Sequence, residues 1–285
     1  MHIIIHYFSN VPDSHRLILL AASLLLFWNI ENAFHINFNY EKWKHALTNF
    51  LFVIPDALVQ FILGLLIVKT IDWDAVHHWG LINWIPGLSN PFIQFMASFL
   101  ILDFFEYVYH VSMHKVKRLW MFHVVHHSDS VVDVSTTMRE HPGETCVRLS
   151  FLVIWVFISG VGFWMLLLRQ FIQIVSNVFA HSNFRIPEKS NNIFGLLFIT
   201  PNIHHVHHHY KLPYTNCNYG DILSIWDRLF GTFARLPKGK VVFGIDTLMD
   251  KAITEDFSVL IKIPFGKYLP PKPHAKSNDM AEVVA

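Results

Sequence analysis

His110 and His114 stand four residues apart. A triplet follows in His123-Val124-Val125-His126-His127, and its spacing returns at His204, His207 and His208 within His204-His205-Val206-His207-His208-His209. On a helix, residues three and four apart are neighbours, so the pair brings two imidazoles together and each triplet brings three. Neutral imidazole is a ligand for iron, zinc, copper and nickel alike. Structural zinc takes four ligands and catalytic zinc usually three, so eight imidazoles exceed the needs of one ion. Two ions, with about four imidazoles each and room for water or dioxygen, is the expectation. A single histidine is more often a hydrogen-bonded surface residue; two identically spaced triplets beside an i,i+4 pair argue against that reading. Eight protonated rings would repel one another, whereas bound metal keeps them neutral and ties their helices together.

The rest of the composition narrows what surrounds such a site. The chain has 285 residues, 53% of them hydrophobic and 15% charged, with a mean hydropathy of +0.36. A soluble domain of this length would carry more surface charge. The 22 basic and 21 acidic side chains leave a net charge of +1 and form no long basic stripe, which excludes nucleic acid as the expected partner. Cys146 and Cys217 lie far apart without CxxC spacing, so neither a disulfide framework nor a zinc ribbon is expected.

Helices that cross a bilayer need roughly 20 apolar residues. Candidates are 17–30, extending toward Phe34; 47–68, interrupted by Pro55, Asp56 and Gln60; and 91–109, opened by Pro91. The first lacks a small-x-small cleavage site, so it reads as a membrane segment rather than a signal peptide. Region 147–180 divides at Ser159-Gly160-Val161-Gly162, predicting a hairpin or a broken helix that returns the chain to one site. The histidines are expected after these helices rather than within them. The tail from about Pro270 reads as a loose end. Lys42 and Lys44 in the first loop, and Lys115, Lys117, Arg118 and Arg139 after the third segment, place both stretches in the cytoplasm. The expected fold is all-α: a polytopic membrane helical bundle with a cytoplasmic histidine-rich helical cap. It divides into transmembrane helices and loops over 1–90, a catalytic core over 91–235 and a polar extension over 236–285. The membrane would be the plasma or inner membrane in a bacterium and the endoplasmic reticulum in a eukaryote.

With these motifs on the page, the chain resembles the fatty acid hydroxylase/sterol desaturase superfamily, whose boxes are HxxxH, HxxHH and HxxHH. The surrounding residues match as well: Asp103, Tyr107, Leu119-Trp120, Ser128, Thr137-x-Arg139-x-His141-Pro142, His181-Ser182-Asn183, Pro201, Asn218-Tyr219-Gly220, Trp226-Asp227 and Phe230-Gly231-Thr232. The resemblance covers roughly 103–232. It implies a membrane fold with a two-iron centre on the cytoplasmic side. Such a centre uses dioxygen and two reducing electrons to hydroxylate or desaturate sterols, fatty acyl chains, ceramides, alkylglycerols or carotenoids. It also implies an external electron donor of the cytochrome b5-like, ferredoxin or pterin type. His181 becomes a further ligand by the same analogy, and Asn177, where some relatives carry histidine, a weak ligand or a holder of water. Val111 departs from the arginine that many relatives have after the first box histidine.

Within that frame, Asp103, Asp227 and Glu140 are expected to accept from histidine N–H groups and fix the rings. Arg139 and His141 would hold the helix after the first triplet or contact a lipid headgroup. Trp120, Phe122, Met138, Phe179 and Tyr214 would line an apolar slot for the lipid, although aromatic packing explains each of them individually. Two alternatives stay open: a membrane zinc hydrolase acting through metal-bound hydroxide, which the lack of HExxH weakens, and a metal-binding membrane protein without chemistry. Zinc can also replace iron in purified protein, so metal identity is left to chemistry.

Overall fold

The computed structural model describes residues 1–34, 40–88, 90–237 and 239–272. Most of the expected loose tail lies outside these residues. The described chain is helical, with three isolated β-bridges and no longer strand among the described residues. Helices α1 (His2–Ser9), α2 (Asp13–Ala33), α3 (Lys42–Phe50), α4 (Val53–His77), α5 (Leu81–Trp84) and α6 (Pro91–Lys115) lead to α7 (Lys117–His127). After these come α8 (Pro142–Ser159), α9 (Phe163–His181), α10 (Glu188–Phe194), α11 (Pro201–His207), α12 (Ile225–Leu229), α13 (Lys251–Thr254) and α14 (Phe257–Leu260).

Among the described residues, five segments are long and apolar enough to cross a membrane: Ser14–Ala33, Lys42–Trp84, Pro91–Lys115, Pro142–Ser159 and Phe163–His181. Ile54, Leu58, Phe61, Ile62 and Leu65 of α4 are exposed; on a helix of this length, such an outward apolar face fits contact with lipid. The chain is an integral, multi-pass membrane protein. Phe95, Phe99 and Leu102 of α6 pack with Leu149, Leu152 and Val156 of α8 and with Met165 and Leu166 of α9, so α6 is shared by both later spans.

The helix boundaries follow local chemistry. Asn90 caps α6 by accepting from the Phe92 amide at 2.9 Å, with Pro91 at the first turn, where a missing N–H costs nothing. His141 does the same for α8, accepting from the Gly143 amide at 2.9 Å. At its other end α8 stops at Gly160, whose φ of 66° is left-handed. Gly80 packs directly against it: a Cβ there would fall 2.3 Å from the Gly160 nitrogen. This contact fixes the far end of the bundle, where Trp79 packs on Trp84 and Phe157 in the manner of an interfacial aromatic belt.

The break at 159–162 is a reversal rather than a kink. Glu144 at the start of α8 and His181 at the end of α9 both border one cavity. The second span runs past its expected end to His77, and the third continues to Lys115. His110 and His114 therefore lie inside the last two turns of α6, and His181 ends α9, correcting the expectation that the histidines follow the helices. A continuous helix is the reason: it carries the box pair on a rigid element that also forms the bundle core.

Residues after 235 pack back onto the histidine-bearing helices. Ile245 and Leu248 join Trp120 and Val124 in one apolar cluster, and Leu260 joins Phe52 and Val125 in another.

Candidate metal centre

Nine imidazoles converge from α6, α7, α9 and α11, with His208 just beyond the end of α11. They form two adjacent groups: His110, His114, His123, His127 and His207, and His126, His181, His204 and His208. Within each group the nearest nitrogens lie within 4.8 Å of one another. The three positions of a triplet do not stay together. The i,i+4 pair His123/His127 joins the first group while His126 joins the second; the pair His204/His208 joins the second while His207 joins the first. Each triplet thus lends its middle histidine to the other's group, because adjacent helical positions point about 100° apart.

The outer ring nitrogens are held by the protein. Nδ1 donates from His110 to the Tyr219 carbonyl at 2.8 Å, from His126 to the Arg139 carbonyl at 3.1 Å, from His181 to the Asn177 carbonyl at 2.8 Å and from His207 to the Cys217 carbonyl at 2.6 Å. His123 Nδ1 lies 2.6 Å from Glu144 Oε1. A carbonyl can only accept, so these tautomers place the proton on Nδ1 and leave Nε2 as a bare lone pair.

Those lone pairs face each other. Nε2 of His126 and His181 are 3.2 Å apart and those of His110 and His123 are 3.1 Å apart, while the His207 and His114 Nε2 atoms have no partner. Two acceptors at hydrogen-bond distance repel unless a cation lies between them. Burial keeps the rings from supplying that cation as protons. It holds His123 down to about 3. Burial reinforced by neighbouring imidazoles holds His126, His127, His204, His207 and His208 well below the usual range. Neutral, inward-facing and crowded nitrogens fit bound metal ions.

The carboxylates are arranged differently from the sequence expectation. Asp103, Asp227 and Glu140 touch none of these rings. Asp103 accepts from the amides of Ile222 and Leu223 at 3.3 Å and from Trp226 Nε1 at 2.8 Å, satisfying irregular backbone that packs against the middle of a spanning helix. Asp227 accepts from the amides of Tyr219 and Gly220 at 2.7 and 2.8 Å. It therefore shapes the loop whose carbonyl receives His110. Glu140 is drawn to Arg148 at 3.0 Å. The carboxylate on a clustered histidine is Glu144, four residues later, which the sequence reading missed; its place just after the His141-Pro142 motif was the available signal.

The remaining expectations also sort themselves. Asn177 meets His181 through its backbone, and its side chain bonds Asp221. Arg139 is fully buried and donates to the Val125 and Thr254 carbonyls, Asn49 and Ser128. It ties α7 to α3 and the C-terminal segment. His141 donates to the Ile261 carbonyl at 3.1 Å. Of the expected lipid-lining residues, Met138 borders the cavity beside the histidines. Trp120 packs behind His114 and His127 instead, and Phe122 packs on His141. Phe179 lies against Phe27 and Phe184, and Tyr214 against His209. Tertiary packing claims each of them.

That cavity has a volume of about 290 Å³ and is bounded by histidines of both groups: His110 and His123 from the first, His126, His181 and His204 from the second. A substrate in it would lie against both candidate ion sites at once.

Residues 95–232 match the family model described as fatty acid hydroxylase. The chain is 32% identical over 149 residues to ornithine lipid hydroxylase OlsE of Rhizobium tropici, covering 51% of this chain and 43% of that protein. It is 31% identical over 159 residues to human alkylglycerol monooxygenase, covering 52% and 32% respectively. Against rat cholesterol 25-hydroxylase it is 26% identical over 156 residues, covering 54% and 51%. The chain thus spans less than half the length of the first two relatives. No solved structure matches. The segment that matches holds all nine clustered histidines, so it is the histidine-bearing part of the chain that is similar to the fatty acid hydroxylase family.

Proposed function

We propose that this protein is an oxygen-dependent two-iron enzyme that hydroxylates a membrane lipid. The observation that carries the reading is the cavity bounded by both histidine groups. In it, His110, His114, His123, His127 and His207 hold one ion, and His126, His181, His204 and His208 the other. Five imidazoles in the first group exceed zinc's usual four. The Nε2 separations of 2.9–3.2 Å along the chain His126–His181–His204–His208 bring four nitrogens close enough that one ion could be shared among them.

Bound iron supplies the activation of dioxygen: with two electrons and two protons, one oxygen atom enters a lipid C–H bond and the other leaves as water. The chain's own residues prepare the setting. Burial keeps the imidazoles neutral and therefore able to ligate. Carbonyls of Tyr219, Arg139, Asn177 and Cys217 hold Nδ1 protons outward, so each Nε2 stays aimed inward. Glu144 does the same for His123, and such outer partners commonly tune metal affinity 10–100-fold. The segment after residue 235 covers α7 and keeps water from its inner face.

Electrons come from a separate donor of the cytochrome b5-like, ferredoxin or pterin type. Lys42, Lys44, Lys115, Lys117 and Arg118 cluster at the histidine end of the spans, which supports a cytoplasmic orientation. Hydroxylation rather than desaturation is supported by the names of the relatives, hydroxylases and monooxygenases.

The test is protein purified anaerobically, supplied with reductant and membrane lipid under labelled dioxygen. One labelled oxygen atom in a lipid product supports the proposal. Firmly bound zinc with oxygen-independent hydrolysis overturns it.

A further inference from the structure

Besides the histidines, the cavity lining is charged, which is unusual for a site inside membrane spans. Glu106 sits one turn before His110 on α6, and Arg148 one turn after Glu144 on α8. Asp221 closes the third side from the loop after Tyr219. Behind them the fully buried Arg169 reaches Asp221 at 3.4 Å and Glu106 at 3.7 Å. It also donates to Gln173 at 2.9 Å, and Gln173 in turn donates to Asp221 at 2.8 Å. Arg148 pairs with Glu140.

Carboxylates outnumber guanidiniums on this lining. Four carboxylates, from Glu106, Glu140, Glu144 and Asp221, border the cavity against two guanidiniums, from Arg16 and Arg148. Two acceptor oxygens there have no partner: Oε2 of Glu144, a residue only 4% exposed, and Oε1 of Gln170. A buried acceptor left unpaired costs about 1–3 kcal/mol, so these two oxygens call for donors. The end of a hydrocarbon chain placed there would strip water from these groups and return nothing. Leu149, Leu152 and Ile174 supply an apolar flank along the same cavity, suited to a chain leaving toward the bilayer.

We infer that Glu106, Gln170, Gln173 and Asp221, beside the orphaned oxygen of Glu144, form a subsite for a lipid headgroup rich in N–H or O–H donors. The lipid then enters headgroup first, and the C–H bonds in or next to the headgroup lie against the histidines. This rests on the proposed lipid oxidation and narrows its substrate: a sterol, with an apolar tail and one hydroxyl, does not satisfy the lining. Two sources carry such donors, an aminoacyl headgroup with its ammonium and a glycerol ether with its hydroxyls.

Equilibrium binding to the metal-loaded full chain in nanodiscs tests the inference separately from turnover. The probes are an ornithine lipid, a 1-O-alkylglycerol and cholesterol. Wild-type protein should bind at least one of the two headgroup lipids tenfold or more tighter than cholesterol, and the tighter of the two identifies the source. Gln170→Leu and Glu106→Gln should each weaken that lipid at least fivefold while keeping the wild-type metal content; the two substitutions back each other up should one disturb folding. Cholesterol binding tightest, or both variants binding the headgroup lipid unchanged at full metal content, would overturn the subsite. Tight headgroup binding without any oxygen incorporation would leave the subsite standing and count against the oxidation chemistry instead.

Discussion

His126 and His127 are adjacent in sequence, yet their rings stand at 87° to one another and belong to different histidine groups. His207 and His208 repeat the arrangement at 86°. One short helix therefore serves two sites, and the second triplet returns the exchange. Neither group can be completed by a single segment of chain, so a metal in either place clamps α7 to α11.

That clamp predicts how the protein responds to losing metal. A strong chelator should speed proteolysis between 117 and 235 while leaving the apolar spans protected, because the cap loses its ties and the spans keep their packing. Limited digestion with and without chelator, followed by mass mapping of the cuts, checks this. Identical cutting patterns would speak against a structural role for the metal.

Glu144→Gln should reduce metal affinity about 10–100-fold by replacing the carboxyl partner of His123 with an amide. Chelator competition measures the shift. Glu140→Gln, one turn away but paired with Arg148, should leave metal retention within about twofold. Equal losses from both substitutions would place the effect in helix stability and not on the ring.

Arg139→Ala should destabilise the fold by roughly 3–5 kcal/mol, since it removes a buried charge and orphans the groups it serves. Thermal unfolding in nanodiscs reads this directly. Arg139→Lys should recover only part, because an ammonium cannot span Val125, Asn49, Ser128 and Thr254 together.

Asp103→Ala should cost about 1–3 kcal/mol for each N–H left without its acceptor at Ile222, Leu223 and Trp226. The loop that supplies the Tyr219 carbonyl to His110 hangs from the same anchor. The variant should therefore lose metal as well as stability, which metal analysis of the folded fraction detects.

What the sequence made legible was the local part of this arrangement. Spacings of three and four are read on one helix, so the pair at His110 and His114 and both triplets were visible without tertiary information. The break at Gly160 was visible too, since glycine tolerates the left-handed turn it adopts, but a hairpin and a broken helix were equally compatible with it. The partition of each triplet between two groups was not, because it depends on where α7 and α11 cross. Glu140 and Glu144 sit one turn apart with the same chemistry; Arg148 captures the first and leaves the second to His123. His181 stands alone in the sequence, with no box of its own, and only resemblance pointed to it. The aromatic residues near the boxes were expected at the lipid, yet their partners come from distant segments such as Leu269, which receives Trp120 at 2.8 Å.

The most direct test of the account is the iron content of anaerobically purified protein, wild type beside His127→Ala and His204→Ala. The account predicts two irons per chain in the wild type. It predicts about one in each variant, with the second ion retained, since His127 and His204 serve different groups. A single iron in the wild type, lost entirely in both variants, would contradict it.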